Sequence, residues 1–402
     1  MSAWPETALS ELLSDATPGF ACGEDVEDGA FQVRMNNITT EGRLELSKRR
    51  RVPRDYRNID RFLLQPGDVL FNATNSPDLV GKTAFFPGLE EPAVFSNHFL
   101  RIRPRDGQVD GRYLTRWLNL QFQHGRFKAM CRQWVNQATV SRQALLSLRV
   151  PVPPLPEQRL IAEILDKADA LRVNRRAALA QLDRFIQSIF LDMFGDPDAQ
   201  DWPMCTVAGV AAQTDGAIRT GPFGSQLLHS EFTDEGVAVL GIDNVVDNEF
   251  RWSQRRYISE RKYRELARYT VQPGDVLITI MGTCGRCAVV PEDIPKAINT
   301  KHICCITVDR AKCLPVFLHA YFLLHPIARR HLAQKAKGAI MEGLNMGIIK
   351  EMPIPMAPLA LQDVFAARLR EASELRGSCK RATAECDALF RSLQHRAFRG
   401  EL

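Results

Sequence analysis

From Pro153 to Asp196 the chain runs with almost no helix breaker, and a second such run begins 204 positions further on. The first opens Pro154-Leu155-Pro156-Glu157-Gln158, and the second opens Pro358-Leu359-Ala360-Leu361-Gln362. Ser188 to Asp196 is echoed by Ser392 to Gly400, so that Phe398 lands on Phe194. Agreement at both ends of so long an interval predicts two helices of one design rather than two unrelated surface helices. Ile161, Ile164, Ala168, Leu171, Ala178, Leu182, Phe185 and Ile189 recur at helical spacing in the first. Leu361, Phe365, Ala372, Leu375, Cys379, Ala382, Cys386, Leu389 and Leu393 trace the same line in the second. An apolar seam of this kind needs a partner, and each seam suits the other. Pro156 fits a first helical turn, Glu157 complements the helix dipole, and Gly195 with Pro197 supplies a stop. Arg175 and Arg368 interrupt the seams, and Gly377 costs the second helix about 1 kcal/mol relative to alanine. At the usual rise such a helix is a rod of roughly 50 to 60 Å.

The segments between the rods repeat as well. Gln65-Pro66-Gly67-Asp68-Val69-Leu70, a turn feeding a buried strand, returns as Gln272-Pro273-Gly274-Asp275-Val276-Leu277. Asn36-Asn37-Ile38 matches Asp243-Asn244-Val245, and Asn97-His98-Phe99 matches Lys301-His302-Ile303. A helix from about Val109 to Cys131 answers one from Pro315 to Ala336. Only the glycine-rich, basic stretch Ile218 to Ser225 lacks a clear counterpart in the first half. The expected fold is mixed α/β (α+β). Residues 1–152 and 198–356 form two similar globules, and residues 153–197 and 357–402 form two long helices joining them. Burying both seams requires the second rod to return antiparallel to the first, as an antiparallel coiled coil, which gives a tandem repeat with a pseudo-two-fold axis. Duplex DNA has the same symmetry, so such a chain can offer similar faces to two half-sites, with the rods as spacer.

With 402 residues, 45% hydrophobic and 25% charged, the chain is expected to be globular, with two or three domains. No apolar run is long enough for a membrane span, and Trp4, Pro5 and Glu6 occupy the place of a signal peptide, so a cytoplasmic protein is expected. The ten cysteines suit reduced core thiols better than a disulfide frame. A net charge of +5 allows a nucleic-acid partner without demanding one. The densest positive run is Lys48-Arg49-Arg50-Arg51 with Arg54 and Arg57; such a run is usually a solvated face, and contact with phosphate is its commonest functional use. Gly81-Lys82-Thr83 lacks the upstream glycine of a phosphate loop; Lys82 and Arg286 are read instead as basic residues at equivalent turns, available to phosphate. Candidate DNA contacts are therefore Arg49, Arg50, Arg51, Arg54 and Lys82 in the first half, and Arg219, Thr220, Arg255, Arg256, Arg286, Lys301 and Lys337 in the second.

Catalytic signatures are missing. Cys284, Cys287, Cys304, Cys305 and Cys313 have roughly zinc-like spacing, but Val80 and Ala84 stand near the corresponding positions of the first half, which favours buried thiols. No Asn-Pro-Pro-aromatic motif or glycine-rich cofactor loop supports a methyltransferase, and Glu260-Arg261-Lys262 is only a fragment of a nuclease signature. His98, His124, His302 and His319 have no paired nucleophile and are read as core or surface residues. A nuclease or methyltransferase with unrecognised motifs is the competing class.

Taken together, Pro153-Pro154-Leu155-Pro156-Glu157-Gln158, the ending Phe190-Leu191-Asp192-Met193-Phe194-Gly195-Asp196, the repeated Gln-Pro-Gly-Asp turn, Arg219-Thr220-Gly221-Pro222-Phe223-Gly224-Ser225 and Gly343-Leu344-Asn345-Met346 resemble the specificity subunits of type I restriction-modification systems. The resemblance implies two target recognition domains, each reading one half of a bipartite sequence in double-stranded DNA, and long helices that set the spacing between them. It also implies partners: two adenine-N6 methyltransferase subunits using S-adenosylmethionine, docked on the helices, and ATP- and Mg-dependent motor-nuclease subunits. This chain would bind no cofactor or metal and carry no catalytic residue. Ala360 and Leu361 depart from the Pro156-Glu157 pattern at the second helix start.

Overall fold

The computed structural model describes residues 4–56, 58–134, 137–195, 202–252, 255–336 and 344–402. Two long helices stand out, a central one over Leu155–Phe194 and a C-terminal one over Leu359–Ala397. The chain divides into two compact units, Met1–Arg176 with Arg381–Leu402, and Ala177–Lys380. Each unit therefore owns the beginning of one long helix and the end of the other, an antiparallel arrangement within each unit.

The first unit is built on a four-stranded antiparallel sheet in the order Leu13–Pro18, Phe99–Pro104, Val69–Asn72, Thr83–Phe85. The second has the same sheet in the order Ile218–Thr220, Ile303–Ile306, Val276–Thr279, Cys287–Val289. The stretch after Ile218 thus does have a counterpart, the strand Leu13–Pro18, which its residue types do not reveal. Val69-Leu70-Phe71 and Val276-Leu277-Ile278 on a central strand of each sheet are apolar without interruption because both faces are covered. Val69 and Phe71 point into one core with Leu100 and Ile102, whereas Leu70 points into another with Ala84 and Phe99. Val276 and Ile278 are likewise separated from Leu277 in the second unit. Each unit adds a mixed sheet. Ala30–Val33 lies antiparallel to Arg51–Val52 and parallel to Ala93–Phe95; Val237–Leu240 lies antiparallel to Tyr257–Ile258 and parallel to Ala297–Asn299.

The repeated sequence motifs have identifiable duties. Gly67 and Gly274 take φ of +98° and +80°, the left-handed conformation that position three of a Pro-Gly turn requires. Asp68 and Asp275 then accept a hydrogen bond from the backbone N–H of Gln65 and Gln272, each at 2.8 Å, which locks the turn before the strand. Gln158 is fully buried; its Oε1 accepts from Asp110 N–H at 2.8 Å, and its Nε2 donates to the carbonyls of Gln108 and Pro153. Gln362 repeats this with Leu314 N–H and the carbonyls of Lys312 and Ala357. A helix start is thereby tied to the globule through groups that have no water to fall back on. Replacing Gln362 by leucine strands one N–H and two carbonyls, at about 1–3 kcal/mol each when unpaired, so the urea midpoint of the second unit is expected to fall by the equivalent of roughly 3 kcal/mol.

The expected helix from Val109 to Cys131 is broken at Gly125, which adopts a φ of +71° between Gly111–Gln123 and Arg126–Met130. Its counterpart is broken before Pro326, between Pro315–Leu324 and Pro326–Ala336, because proline cannot donate to the preceding turn.

The expected seam along the long helices needs correction. Burial concentrates where each helix passes under its globule. Ile161 and Leu165 join Phe390, Ala397 and Phe398 in the first unit's core, with Ile164, Ala168 and Leu393 partly covered. Phe190, Phe194 and Phe365 cluster in the second, their ring centroids 5.2–5.6 Å apart, with Ile189 and Leu361 beside them. Leu182 is half-buried, but Leu171, Phe185, Leu375 and Leu389 are 41%, 56%, 56% and 51% exposed. A stripe at alternating threes and fours drifts about 20° per seven residues around a straight helix, so positions on the sequence line leave the buried face. Where the helices face each other away from the globules, ion pairs take over: Arg172 with Asp387 at 2.6 Å in the first unit, and Arg376 with Asp183 in the second. These pairs occupy equivalent positions of the repeat.

Candidate nucleic-acid interface

Each unit carries a cleft at the same place in its fold. In the first unit it is enclosed by the turn Arg34-Met35-Asn36 after strand Ala30–Val33, by Ser96-Asn97-His98 after the parallel strand Ala93–Phe95, and by Arg50 before the third strand. In the second unit Gly241-Ile242-Asp243, Thr300-Lys301-His302 and Arg256 take those positions. The strand registers confirm the equivalence. Gln32 N–H donates to the Arg50 carbonyl and Val239 N–H to the Arg256 carbonyl, each at 2.9 Å. Asn37 and Asn244, both buried, cap the turns by accepting from Arg34 N–H and Gly241 N–H at 2.9 Å. The clefts enclose about 540 Å³ and 740 Å³, volumes that lie within the range of ligand sites.

The walls are rich in hydrogen-bond donors that the protein leaves unused. The Nε of Arg34 and Arg50 and the Ser96 hydroxyl are buried without a partner, as are the Nε of Arg256 and the Thr300 hydroxyl. Among the described residues neither the His98 nor the His302 ring has a hydrogen-bond partner. Burial, with the charges of Lys301 and Arg256, holds the His302 imidazole below its ordinary pKa and thus neutral near pH 7. Converging N–H and O–H groups suit an anion or the acceptor edge of a base. Among the described residues no group of three or more His, Cys, Asp or Glu side chains could hold a metal ion. Cys287, Cys304, Cys305 and Cys313 lie in the cores, where burial pushes the thiols of Cys304 and Cys313 up to about 12.

The residues expected to touch DNA fall into three groups. Arg50, Arg256 and Lys301 line the clefts. Arg49 and Arg51 lie beside the first cleft and share Glu91, Arg54 pairs with Asp28, and Arg255 stacks its guanidinium 5.3 Å from the centre of the Trp252 ring. Arg286 is exposed on a turn, and Thr220 is half-buried at a strand end. Exposed ion pairs are worth little, so phosphate can displace Glu91 or Asp28 cheaply. The third group is corrected by the structure. Lys82 is 6% exposed, and its Nζ donates to the carbonyls of Ile38 and Met35 at 2.7 and 3.1 Å, fastening the turn from inside; burial lowers its pKa. Arg219 pairs with buried Asp275 at 2.7 Å and donates to Thr307 and the Thr270 and Gly216 carbonyls, which engages both terminal nitrogens within the fold and leaves the buried Nε without a partner. Lys337, like Arg57 and Gly343, lies outside the described residues. Sequence reasoning passed over Arg34, Asn36, Ser96, Asn97, Asp243 and Thr300, and treated His98 and His302 as core or surface. The signals were the alignments of Asn36-Asn37 with Asp243-Asn244 and of Asn97-His98 with Lys301-His302.

Two cleft-bearing α/β units, each completed by one end of each of two long helices, define a tandem-repeat protein with one concave site per unit. Residues 35–183 match the type I restriction modification DNA specificity domain. The chain is 23% identical to the type I restriction enzyme EcoBI specificity subunit of Escherichia coli, over 98% of this chain and 85% of that one. It is 27% identical to a protein of Methanocaldococcus jannaschii described as a type I restriction enzyme MjaX specificity subunit, over 42% of this chain and only 40% of that one. Among solved structures, the type I restriction-modification S subunit from M. genitalium superposes with a TM-score of 0.62 at 14% identity, covering 99% of this chain and 96% of that one. A chain from a type I R-M system solved for its complex assembly superposes with a TM-score of 0.58 at 18% identity, covering 99% and 98%. Along nearly its whole length the chain is thus similar to a type I restriction enzyme specificity subunit, and its fold is shared with S subunits of such systems. No helix among the described residues is long and apolar enough to cross a membrane.

Proposed function

We propose that this chain is the DNA-recognition subunit of a type I restriction-modification complex, in which each unit reads one half of a bipartite site in double-stranded DNA. The observation that carries this reading is the cleft built twice, from equivalent residues at equivalent positions of two units. The long helices set the number of unread base pairs between the half-sites and dock two adenine-N6 methyltransferase subunits. The exposed apolar residues on those helices support the docking. Leu160, Leu171 and Leu389 in the first unit correspond position for position to Val364, Leu375 and Phe185 in the second, all between 41% and 56% exposed. Leu160 and Leu171 are eleven residues apart, three helical turns, so they share a face, as do Val364 and Leu375. One such set per unit fits two copies of one partner. S-adenosylmethionine binds to the methyltransferase subunits; ATP and Mg belong to motor-nuclease subunits that join the complex.

The test combines the purified chain with its methyltransferase partner. The complex is expected to retard one duplex sequence at least about a thousandfold more tightly than unrelated duplexes at physiological salt, while the chain alone binds no S-adenosylmethionine. A chain that methylates or cleaves DNA by itself, or a complex indifferent to sequence, rules the reading out.

A further inference from the structure

We infer that the two clefts divide DNA reading between two kinds of residue: those the repeats share contact the sugar-phosphate backbone, and those in which they differ read the bases. This rests on the DNA-recognition reading above and deepens it. A duplex presents the same phosphates and sugars at every position but different base edges, so backbone contacts fix register and base contacts carry sequence. Two clefts of one design that serve different half-sites must keep the first set and change the second.

The shared set is Arg50 with Arg256, Ser96 with Thr300, and His98 with His302. A common structural duty does not explain the sharing. Arg50 donates to the carbonyls of Cys22 and Glu24, whereas Arg256 pairs with Asp243. The Ser96 and Thr300 hydroxyls are unpartnered, and the two imidazoles have no hydrogen-bond partner among the described residues. All these groups can donate a hydrogen bond, which is what phosphate oxygens accept.

The differing set sits on the two turns at the cleft mouth. Asn36 becomes Asp243, and Asn97 becomes Lys301; both asparagines are exposed. An asparagine amide both donates and accepts, which matches the adenine edge in the major groove. Lysine only donates, matching the two acceptors of guanine, and aspartate only accepts, matching the amino group of cytosine. The first cleft therefore favours an A·T pair where the second favours G·C.

The experiment enriches bound duplexes from a random pool with the full chain in complex with its methyltransferase partner. Three proteins are compared: the parent, N36D/N97K, which copies the second cleft's pair into the first, and His98→Ala. The double variant is expected to bind its own enriched duplex about as tightly as the parent binds its own. One half of the recognised sequence changes, the parental base there is disfavoured by about tenfold or more, and the other half is unaltered. His98→Ala is expected to weaken binding to every duplex by a similar factor and to enrich the parental sequence. An unaltered sequence from N36D/N97K, a changed sequence from His98→Ala, or unaltered affinity in His98→Ala overturns the division of labour. A parent complex that enriches no sequence overturns the DNA-recognition reading itself.

Discussion

Asp169→Ala is expected to destabilise the first unit by about 3–5 kcal/mol, the usual cost of removing one partner from a buried ion network. Asp169 lies on the central helix, 4% exposed, and accepts from Arg43 at 2.8 and 3.0 Å, from Arg172 at 3.1 Å and from Arg116 at 3.4 Å. Arg43 comes from the turn after Ile38, Arg116 from the helix Gly111–Gln123, and Arg172 continues to Asp387 on the C-terminal helix. One carboxylate thus joins globule and both long helices of this unit, and its loss leaves three guanidinium groups crowded without it. Asp169→Asn, which keeps an acceptor but no charge, should fall between parent and alanine in denaturant midpoint; an alanine variant as stable as the parent contradicts the assignment. The pH dependence follows from the same contacts. Burial pushes the Asp169 carboxyl up, but the Arg43 hydrogen bond and the charges of Arg116, Arg43 and Arg172 outweigh it and hold the group below its ordinary value. A carboxyl lowered on folding adds stability above its unfolded pKa, near 4, and loses that contribution as pH falls through the folded value. The parent should therefore weaken below about pH 4 more steeply than Asp169→Ala.

The second large effect concerns assembly. Val364→Asp with Leu375→Asp alters two exposed side chains, so folding should change by only about 0.5 kcal/mol each. If these residues anchor a methyltransferase subunit, each is worth about 2 kcal/mol or more at the centre of an interface, together roughly a thousandfold in affinity. The complex is expected to hold one methyltransferase per chain instead of two by native mass spectrometry, because Leu160, Leu171 and Leu389 of the other unit are untouched. Retention of two copies would place docking elsewhere.

How much of this was legible in the residues depended on whether they act through near neighbours. The Gln-Pro-Gly-Asp turn is a four-residue device, and Gln158 and Gln362 stand beside the prolines that mark their helix starts, so repetition exposes them directly. Lys82 and Arg219 misled because a charge in sequence does not tell which side of a strand it takes or whether carbonyls await it there. The seam was half legible: periodicity locates a helix, but Phe185 and Leu375 fit the stripe as well as Ile161 and Phe365, and only the globule covering the latter pair decides burial. The clefts were the least visible part. Arg34, Arg50 and His98 come from three separate segments, and their meeting depends on a parallel strand pair that nothing local announces.

That the first unit is closed by Arg381–Leu402 also sets an order of events during synthesis. Ala177–Lys380 is one uninterrupted stretch and leaves the ribosome whole. The residues made before it wait with a groove open where Phe390, Ala397 and Phe398 will lie, Phe398 with its ring 5.4 Å from Tyr113. Domains generally fold from the N-terminus as they emerge; here the unit translated second is the first that can be finished. A nonsense codon near Arg381 spares the unit it adjoins and strikes the one at the opposite end of the message.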